Sequence, residues 1–270
     1  MATIVPVSGG WDSALTWLFV TGHLADGCSR RWQDPDAVAV FTDPGHEDAR
    51  TYAVLDLLDA MTGRPIVRLQ GPTWEEALEA HSWFLPWHRA RWCTPTFKIR
   101  PFEAWVSGLG PVVSCIGLRA DEPERAGYQG PEHREGLGER GSQITPVYPL
   151  REMGITYSDR QALGHKLGLP EPAPWSCFNC PFKTHFLWVT LVEQYPEQAE
   201  WCAWVEEEKE RRGAGGFGWI RKYKIRELME SPQLRADIRR RYWSRHRPPQ
   251  PALLDAGEEE ATPCLLCRVK

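Results

Sequence analysis

The sequence predicts an α/β fold, in which a mainly parallel, twisted sheet carries helices on both faces and a helical appendage follows at the C-terminal side. Two observations lead to this fold class. Short apolar segments of strand length alternate with helical patterns in the first half of the chain, and the pattern after about residue 150 is helical. Because strands that alternate with helices are joined by right-handed crossovers, the sheet should be parallel and covered on both faces.

The α/β part is predicted to contain alternating strands and helices. In chain order these are strand Thr3 to Val7, helix Ser13 to Thr21, strand Ala37 to Phe41, helix Asp48 to Met61, strand Ile66 to Leu69, helix Thr96 to Val106 and strand Pro111 to Leu118. From about Ala120 to Pro146 the chain is rich in Gly, Glu and Arg and has no apolar period, which predicts a long loop.

The second half is predicted to be helical. The helices are Ser158 to Leu167 with Ser158 as N-cap, Thr184 to Val192, Glu197 to Arg212, Arg221 to Met229 and Gln233 to His246. A Pro-rich, acidic segment then predicts a flexible tether. We therefore expect an α/β domain over residues 1–150, a helical region with the first CxxC pair over 151–247, and a flexible tail with the terminal CxxC pair over 248–270.

Composition excludes several classes of protein. A hydrophobic content of 42% and a charged content of 25% are typical of globular proteins. No apolar run reaches the roughly 18 to 20 residues of a membrane span, and the N-terminus has no signal-peptide pattern, so we expect a cytoplasmic protein without membrane contact. The net charge of −4 argues against a generally basic nucleic-acid binder. The 14 Trp residues favour packing roles.

The segment Ser8-Gly9-Gly10-Trp11-Asp12-Ser13 joins the first predicted strand to the first predicted helix. A glycine pair at this place lets the backbone approach a ligand and points successive N–H groups into one concavity, and the helix behind it adds its positive end. The hydroxyls of Ser8 and Ser13 can donate hydrogen bonds, while Asp12 can hold a divalent metal or orient the loop. The segment is therefore predicted to bind a polyphosphate, although it matches neither GxxxxGK[ST] nor GxGxxG.

This SGGxDS pattern after an N-terminal strand resembles the signature of the PP-loop, or N-type ATP pyrophosphatase, superfamily. The resemblance implies an adenine nucleotide alpha hydrolase-like fold that binds ATP with Mg²⁺. It also implies that the loop contacts the β- and γ-phosphates of ATP, or the equivalent phosphate of a sulfonucleotide, through Ser8, Gly9, Gly10, Asp12 and Ser13.

Other segments resemble the phosphoadenosine phosphosulfate reductase-like branch of that superfamily. They are Phe41 to Glu47, where Pro44 stands in place of the usual Thr, Arg91-Trp92-Cys93 with Lys98 and Pro101, Gly117 to Glu122 with Arg125, Tyr148-Pro149-Leu150, and Cys177 to Pro181. The resemblance adds Asp43, Gly45, Glu47, Gly117, Arg119 and Arg125 to the nucleotide-binding residues. Asp12, Lys98 and Arg119 are the expected catalytic groups, since cations at the strand ends neutralise a pyrophosphate leaving group.

The cysteine pairs Cys177/Cys180 and Cys264/Cys267 suit a tetrahedral site for zinc or an iron–sulfur cluster, and their spacing does not distinguish the two. Resemblance to cluster-bearing sulfonucleotide reductases implies a 4Fe-4S cluster on Cys93, Cys177, Cys180 and Cys267, with zinc as the alternative. Cys264 is then either a ligand in place of Cys267 or a reactive thiol for sulfur chemistry. The isolated Cys28, Cys115 and Cys202 are expected to be buried apolar residues.

A basic run with two aromatic residues, Arg235 to Arg247, suits phosphate contacts and base stacking, or else a solvated helix face. The leading interpretation is an ATP-dependent adenylating enzyme that releases pyrophosphate and transfers sulfur to a nucleic acid or nucleotide-bearing acceptor, with a sulfur donor protein as a further partner. One alternative is a sulfonucleotide reductase, although the E-C-G-x-H tail of those enzymes is absent. The other is a nucleotide-sensing module without catalysis.

Overall fold

The computed structural model describes residues 1–24, 29–122 and 144–246. The strands are β1 Ala2–Pro6, β2 Val38–Asp43, β3 Val67–Gln70, β4 Val112–Cys115 and β5 Ile144–Val147. The helices are α1 Trp11–Val20, α2 Ala49–Thr62, α3 Trp74–Ala80, α4 Arg100–Val106, α5 Pro149–Glu152, α6 Tyr157–Lys166, α7 His185–Gln194, α8 Pro196–Arg211, α9 Ile225–Glu230 and α10 Pro232–Arg245. Short 3₁₀ and π-helical turns cover Ser29–Trp32 and Pro95–Ile99.

These residues form two compact units, of which the first comprises 1–24, 29–72, 94–122 and 144–173 and the second comprises 73–93 and 174–246. None of the helices in the described ranges is both long enough and apolar enough to span a bilayer.

The first unit is built on a five-stranded sheet of order β3-β2-β1-β4-β5. All four strand pairs are parallel, with Ile4 opposite Val38 on one side of β1 and Ala2 opposite Val112 on the other. The predicted α/β class with a parallel sheet is confirmed. The chain runs from β1 outward to β3 and then returns to place β4 on the other side of β1, so the strand order reverses between β1 and β4. In open parallel sheets this reversal creates a crevice at the carboxyl ends of the strands.

Helix α1 is the most deeply buried helix of the first unit, since nine of its ten residues are buried. Trp11 at its start is fully buried and donates from Nε1 to the carbonyl oxygen of Pro170 at 2.7 Å. Gly164 of α6 lies against the same indole, where an added Cβ would come within 2.6 Å of Trp11 Cδ2. The core therefore fixes the first turn of α1, which is the turn that follows the glycine pair.

Several predicted boundaries were wrong, among them the end of the strand predicted to run to Leu118, which stops at Cys115. The predicted loop from Ala120 to Pro146 contains the start of β5, a strand of only four residues that joins the sheet beside β4. The N-cap of α6 is Thr156 and not Ser158, because Thr156 forms a reciprocal capping box with Asp159. The helix predicted from Arg221 begins only at Ile225.

The second unit packs around aromatic residues. Trp74, Trp201 and Trp219 lie with their ring centroids 6.1 to 6.3 Å apart, and Trp92 lies 5.8 Å from Trp74. These distances are typical of packed aromatic pairs. The cluster agrees with the expectation that tryptophan mainly serves packing in this chain.

A buried carboxylate ties the segment that precedes α9 to helix α8. Glu206 is only 4% exposed and accepts hydrogen bonds from the backbone N–H groups of Trp219 and Ile225, both at 2.8 Å. Gly218 leaves room for this carboxylate, since an added Cβ there would lie 2.9 Å from Glu206 Cδ. Burial raises the pKa of Glu206 from 4.5 to about 7.

We expect this group to make the protein less stable as the pH rises from about 4.5 to about 7. In that window the unfolded chain loses the Glu206 proton while the folded chain keeps it, so the free energy of unfolding falls, by about 3 kcal/mol in total. Urea denaturation of the wild type and of Glu206→Gln at pH 5 and pH 8 tests this. The difference in free energy of unfolding between the two proteins should change with pH, and a constant difference would contradict the prediction.

Candidate functional site

The candidate site lies at the carboxyl ends of β1, β2 and β4, at the crevice where the strand order reverses. Three segments meet the sheet there: the loop between β1 and α1, the turn between β2 and α2, and the residues after β4. Sequence analysis selected residues in each of these segments. The fold places all three at one edge of the sheet, because the carboxyl ends of parallel strands share an edge.

The loop between β1 and α1 is held by its own serines. Ser13 Oγ accepts from the backbone N–H of Ser8 at 3.0 Å, donates to the carbonyl oxygen of Gly10 at 2.9 Å, and lies 3.2 Å from Ser8 Oγ. Gly9 adopts a φ of +71°, which favours glycine, and an added Cβ would lie 2.6 Å from Thr51 Cγ2 and 2.9 Å from Thr51 Cα on α2. The loop therefore has a defined shape that requires glycine at this position.

The backbone N–H groups of this loop suit an anion. Across the part of the chain that the structure describes, no acceptor is paired with the amides of residues 9 to 13, which include the first turn of α1. The amides at a helix N-terminus have no intrahelical partner and lie at the positive end of the helix dipole. Together with the glycine turn they provide several donors for phosphate oxygens.

Asp12 stands in the first turn of α1 with its two carboxylate oxygens in different surroundings. Oδ2 accepts from Arg119 Nη1 at 2.9 Å and lies 3.8 Å from Arg160 Nη1. Oδ1 is buried and has no hydrogen-bond partner among the described residues. Burial raises the pKa of Asp12, against the opposing effect of Arg119 and Arg160. A buried carboxylate oxygen without a donor suits a divalent cation, which would stabilise its charge.

Arg119 follows β4 and links the site's acidic residues. Besides Asp12, it donates from Nε to Asp121 at 3.0 Å, and its Nη2 lies 3.6 Å from Glu122 Oε1. Its side chain is only 13% exposed. Gly117 allows this segment to pass close to α1, because an added Cβ would lie 2.9 Å from the backbone carbon and oxygen of Asp12. The structure thus brings Gly117, Arg119 and Asp12 together. All three were predicted from the sequence to bind the nucleotide.

The turn after β2 is shaped by Asp43, which accepts from the backbone N–H of Gly45 at 2.7 Å and from Tyr52 Oη at 2.8 Å. Gly45 has a φ of +73° with open space where a Cβ would stand. Glu47 is buried and accepts from Lys98 Nζ at 3.0 Å. The structure therefore pairs two predicted site residues, Glu47 and Lys98, with each other and uses Asp43 to hold the turn.

Two arginines were missed by sequence analysis. Arg160 of α6 approaches Asp12 and also stacks its guanidinium over Tyr157, 4.5 Å from the ring centroid. Arg151 of α5 donates from Nη2 to the carbonyl oxygen of Glu122 at 3.1 Å and so supports the Arg119 segment. In the sequence, both arginines simply follow the Tyr148-Pro149-Leu150 segment. That position does not indicate where a side chain points.

The predicted ligands Cys93, Cys177 and Cys180 lie in the second unit and are partly buried. Within the described ranges, no three His, Cys, Asp or Glu side chains form a group that could hold a metal ion. The other predicted thiols, Cys264 and Cys267, lie outside the described residues, as does Arg125. The four-cysteine ligand set thus stays a prediction.

The turn that carries Cys177 and Cys180 has one feature that fits a bound polar group. Between them Asn179 is fully buried, and neither its Nδ2 nor its Oδ1 has a hydrogen-bond partner among the described residues. A buried amide without partners is rare in folded proteins and calls for an additional group such as an ion or water. An iron–sulfur cluster beside this turn would offer sulfur acceptors to the Asn179 amide.

The isolated cysteines behave as predicted where they can be observed. Cys115 and Cys202 are buried, and burial raises the pKa of the Cys115 thiol to about 12 and that of Cys202 well above its ordinary value. Both are therefore poor nucleophiles and metal ligands. Cys28 lies outside the described residues.

Comparison with known proteins gave a family match and a number of similar solved structures, among them the following two. The model of the phosphoadenosine phosphosulfate reductase domain family matches residues 2–155. The crystal structure of phosphoadenylyl-sulfate (PAPS) reductase from Candida auris in its phosphate complex is 15% identical, covers 63% of this chain and 74% of its own, and gives a TM-score of 0.44. The U34-tRNA thiolase NcsA from Methanococcus maripaludis with its [4Fe-4S] cluster is 12% identical, with coverage of 86% and 80% and a TM-score of 0.45. No curated protein matches the chain.

Proposed function

Since the chain belongs to the phosphoadenosine phosphosulfate reductase domain family, whose members are enzymes, we propose that it is an ATP-dependent adenylating enzyme. In this proposal it releases pyrophosphate and transfers sulfur to a nucleic acid or another nucleotide-bearing acceptor. The observation that carries the proposal is the loop of residues 9 to 13, whose amides have no acceptor among the described residues. Asp12 Oδ1, in the same loop, likewise has no hydrogen-bond partner there. The match to the family model covers this whole loop.

In the proposed complex, the loop amides bind the β- and γ-phosphates of ATP, and Asp12 Oδ1 contributes to holding Mg²⁺. Arg119 keeps Asp12 Oδ2 occupied through its 2.9 Å contact, which directs the other oxygen away from the guanidinium. Lys98, anchored by Glu47, adds a cation at the neighbouring strand end. The loop amides and the cations Arg119 and Lys98 stabilise the negative charge of the triphosphate.

The first chemical step is attack by an acceptor oxygen on the α-phosphorus. A new oxygen–phosphorus bond forms, the bond from the α-phosphorus to the bridging oxygen breaks, and pyrophosphate leaves with the electron pair. Negative charge grows on the leaving group, where the loop amides and Arg119 stabilise it, and a bound Mg²⁺ would supply further positive charge there. In the second step hydrosulfide attacks the activated carbon of the acceptor, so that a carbon–sulfur bond forms and AMP leaves; neither step changes the number of electrons overall.

We assign the cluster ligands in this proposal to Cys93, Cys177, Cys180 and Cys267, with Cys264 as the thiol available for sulfur chemistry. The buried Asn179 amide supports a bound group at the turn between Cys177 and Cys180. A 4Fe-4S cluster there would supply a place to hold sulfide. The chain's own contribution is to keep Cys93, Cys177 and Cys180 partly buried in the second unit.

Incubation with labelled ATP and Mg²⁺ tests the proposed function. The full chain, purified without oxygen, would be mixed with total RNA and denatured DNA as acceptors, and the products separated. With sodium sulfide present as the sulfur source, we expect pyrophosphate and AMP in equal amounts, and only when acceptor is present; without sulfide, pyrophosphate should exceed AMP. Orthophosphate with ADP, or no turnover with any acceptor, would contradict the proposal.

Sulfonucleotide reduction is the second candidate, because the matching family model is that of the phosphoadenosine phosphosulfate reductase domain. The same loop amides would then bind the phosphate of the sulfonucleotide. Incubation with phosphoadenosine phosphosulfate and a dithiol reductant distinguishes the two functions. Release of sulfite, with no pyrophosphate from ATP, would favour the reductase.

A further inference from the structure

The second unit contains a cleft of about 560 Å³ that the proposed ATP chemistry does not use. It lies between the start of α7, the segment before α9 and the C-terminal part of α10. Its lining combines aromatic rings with cationic side chains and includes no carboxylate among the described residues. Its volume is within the range of small-ligand sites and is sufficient for one nucleotide.

Three aromatic side chains in this cleft form a continuous stack. The ring centroids of Phe186 and Tyr242 are 4.2 Å apart with an interplanar angle of 16°, and those of Tyr242 and His246 are 4.4 Å apart with an angle of 17°. His246 is exposed at one end of the stack. A planar base placed on that end would extend the stack, and base–aromatic stacking does not depend strongly on which base is present.

The cations in the cleft differ from the other cations of the same helix. Arg235, Arg239 and Arg240 of α10 are paired with carboxylates, the first two with Glu193 and the third with Asp237. These arginines are not part of the cleft lining.

Arg241 and Arg245, one helical turn apart, line the cleft together with Lys222, and all three are exposed. No carboxylate in the described part of the chain forms an ion pair with any of them. His185, which also lines the cleft, has a lowered pKa, because it is partly buried and because the positive charge of Lys222 lies nearby. The basic run is thus divided by helical register into a neutralised face and a face that keeps its positive charge.

We infer that this cleft binds one nucleotide of a single-stranded nucleic acid, with its base on the Phe186–Tyr242–His246 stack and its backbone phosphates on Arg241, Arg245 and Lys222. A strand suits the cleft better than a free nucleotide, because cations separated by a helical turn reach phosphates on successive sugars. Duplex nucleic acid does not suit it, since the bases of a duplex are already stacked and cannot enter. The role of this strand as sulfur acceptor rests on the proposed function, whereas its binding does not.

Binding is tested by fluorescence anisotropy of the full chain with a labelled 12-mer of mixed sequence, without ATP. Arg241→Gln should weaken binding about 5- to 10-fold. It should also reduce the slope of log affinity against log salt concentration by about one, the contribution of one phosphate contact. Arg240→Gln removes the same charge from the neighbouring position outside the cleft and should change affinity less than about 2-fold. Equal effects of the two substitutions would overturn the inference, because they would show binding to the whole basic helix.

The stacking component needs its own test. His246→Ala should weaken binding of the ordinary 12-mer about 10-fold and leave binding of an abasic 12-mer unchanged, because only the former has bases to stack. Equal affinity for duplex DNA, or competition by AMP at the same concentration as the strand, would overturn the assignment to a single strand. Strand binding without pyrophosphate release would contradict only the proposed function, and pyrophosphate release without strand binding would contradict only this inference.

Discussion

Replacing Asp12 by asparagine should lower ATP-dependent pyrophosphate release at least about 100-fold. Asparagine keeps the shape of the side chain but removes the charge that the unpartnered Oδ1 would offer to Mg²⁺. Folding should be preserved, because burial already disfavours the charged form of Asp12 and Arg119 retains Asp121 and Glu122 as partners. Initial rates at several Mg²⁺ concentrations, together with the melting temperature, measure both effects.

Asp121→Asn is the matched control for this substitution. Asp121 also contacts Arg119, at 3.0 Å, but it stands outside the loop of residues 9 to 13. If Asp12 acts by holding Mg²⁺, the Asp121 variant should keep most of the activity and its Mg²⁺ dependence. A similar loss in both variants would mean that Asp12 serves only to position Arg119.

Replacing Cys177 by alanine should remove the iron almost completely from protein purified without oxygen. A cluster that loses one of four thiolates loses both a bond and the negative charge that balances its iron. Iron content per chain and the visible absorption spectrum measure this directly, without reference to catalysis. Cys202→Ala is the matched control, since Cys202 lies in the same unit but is fully buried and should not bind metal.

The outcomes of the Cys177 experiment separate the two metals considered. Iron with sulfide in the wild type and in Cys202→Ala, but not in Cys177→Ala, would support the cluster. Zinc in the wild type at one ion per chain would contradict it and favour a structural zinc site on the cysteine pairs. Unchanged iron in Cys177→Ala would contradict the ligand assignment.

The fold could be predicted where the local pattern and the long-range packing agree. Strand β1 carries the buried pair Ile4 and Val5, and helix α1 has seven apolar residues among ten, so their type was clear from the sequence. Strand β5 was missed because its stability comes from pairing with β4, and its four residues carry no pattern of their own. Helix α3 was missed although the sequence does carry a start signal for it, the capping box of Thr73 and Glu76.

The candidate site could be predicted where the backbone itself forms it. The glycine pair and its serines indicate a phosphate loop because those residue types serve few other purposes at a strand end. Contacts of Arg160 with Asp12, or of Glu47 with Lys98, depend on how distant segments meet, and no spacing in the sequence specifies that. The division of the arginines of α10 between carboxylates and the cleft is likewise visible only in three dimensions.

The tight fit of Gly9 against Thr51, with the serine hydrogen bonds inside the same loop, has a consequence for how a nucleotide is captured. These contacts exist before any ligand arrives, so the conformational entropy of the loop is lost during folding and not during association. A preorganised receptor of this kind devotes more of its interaction energy to affinity.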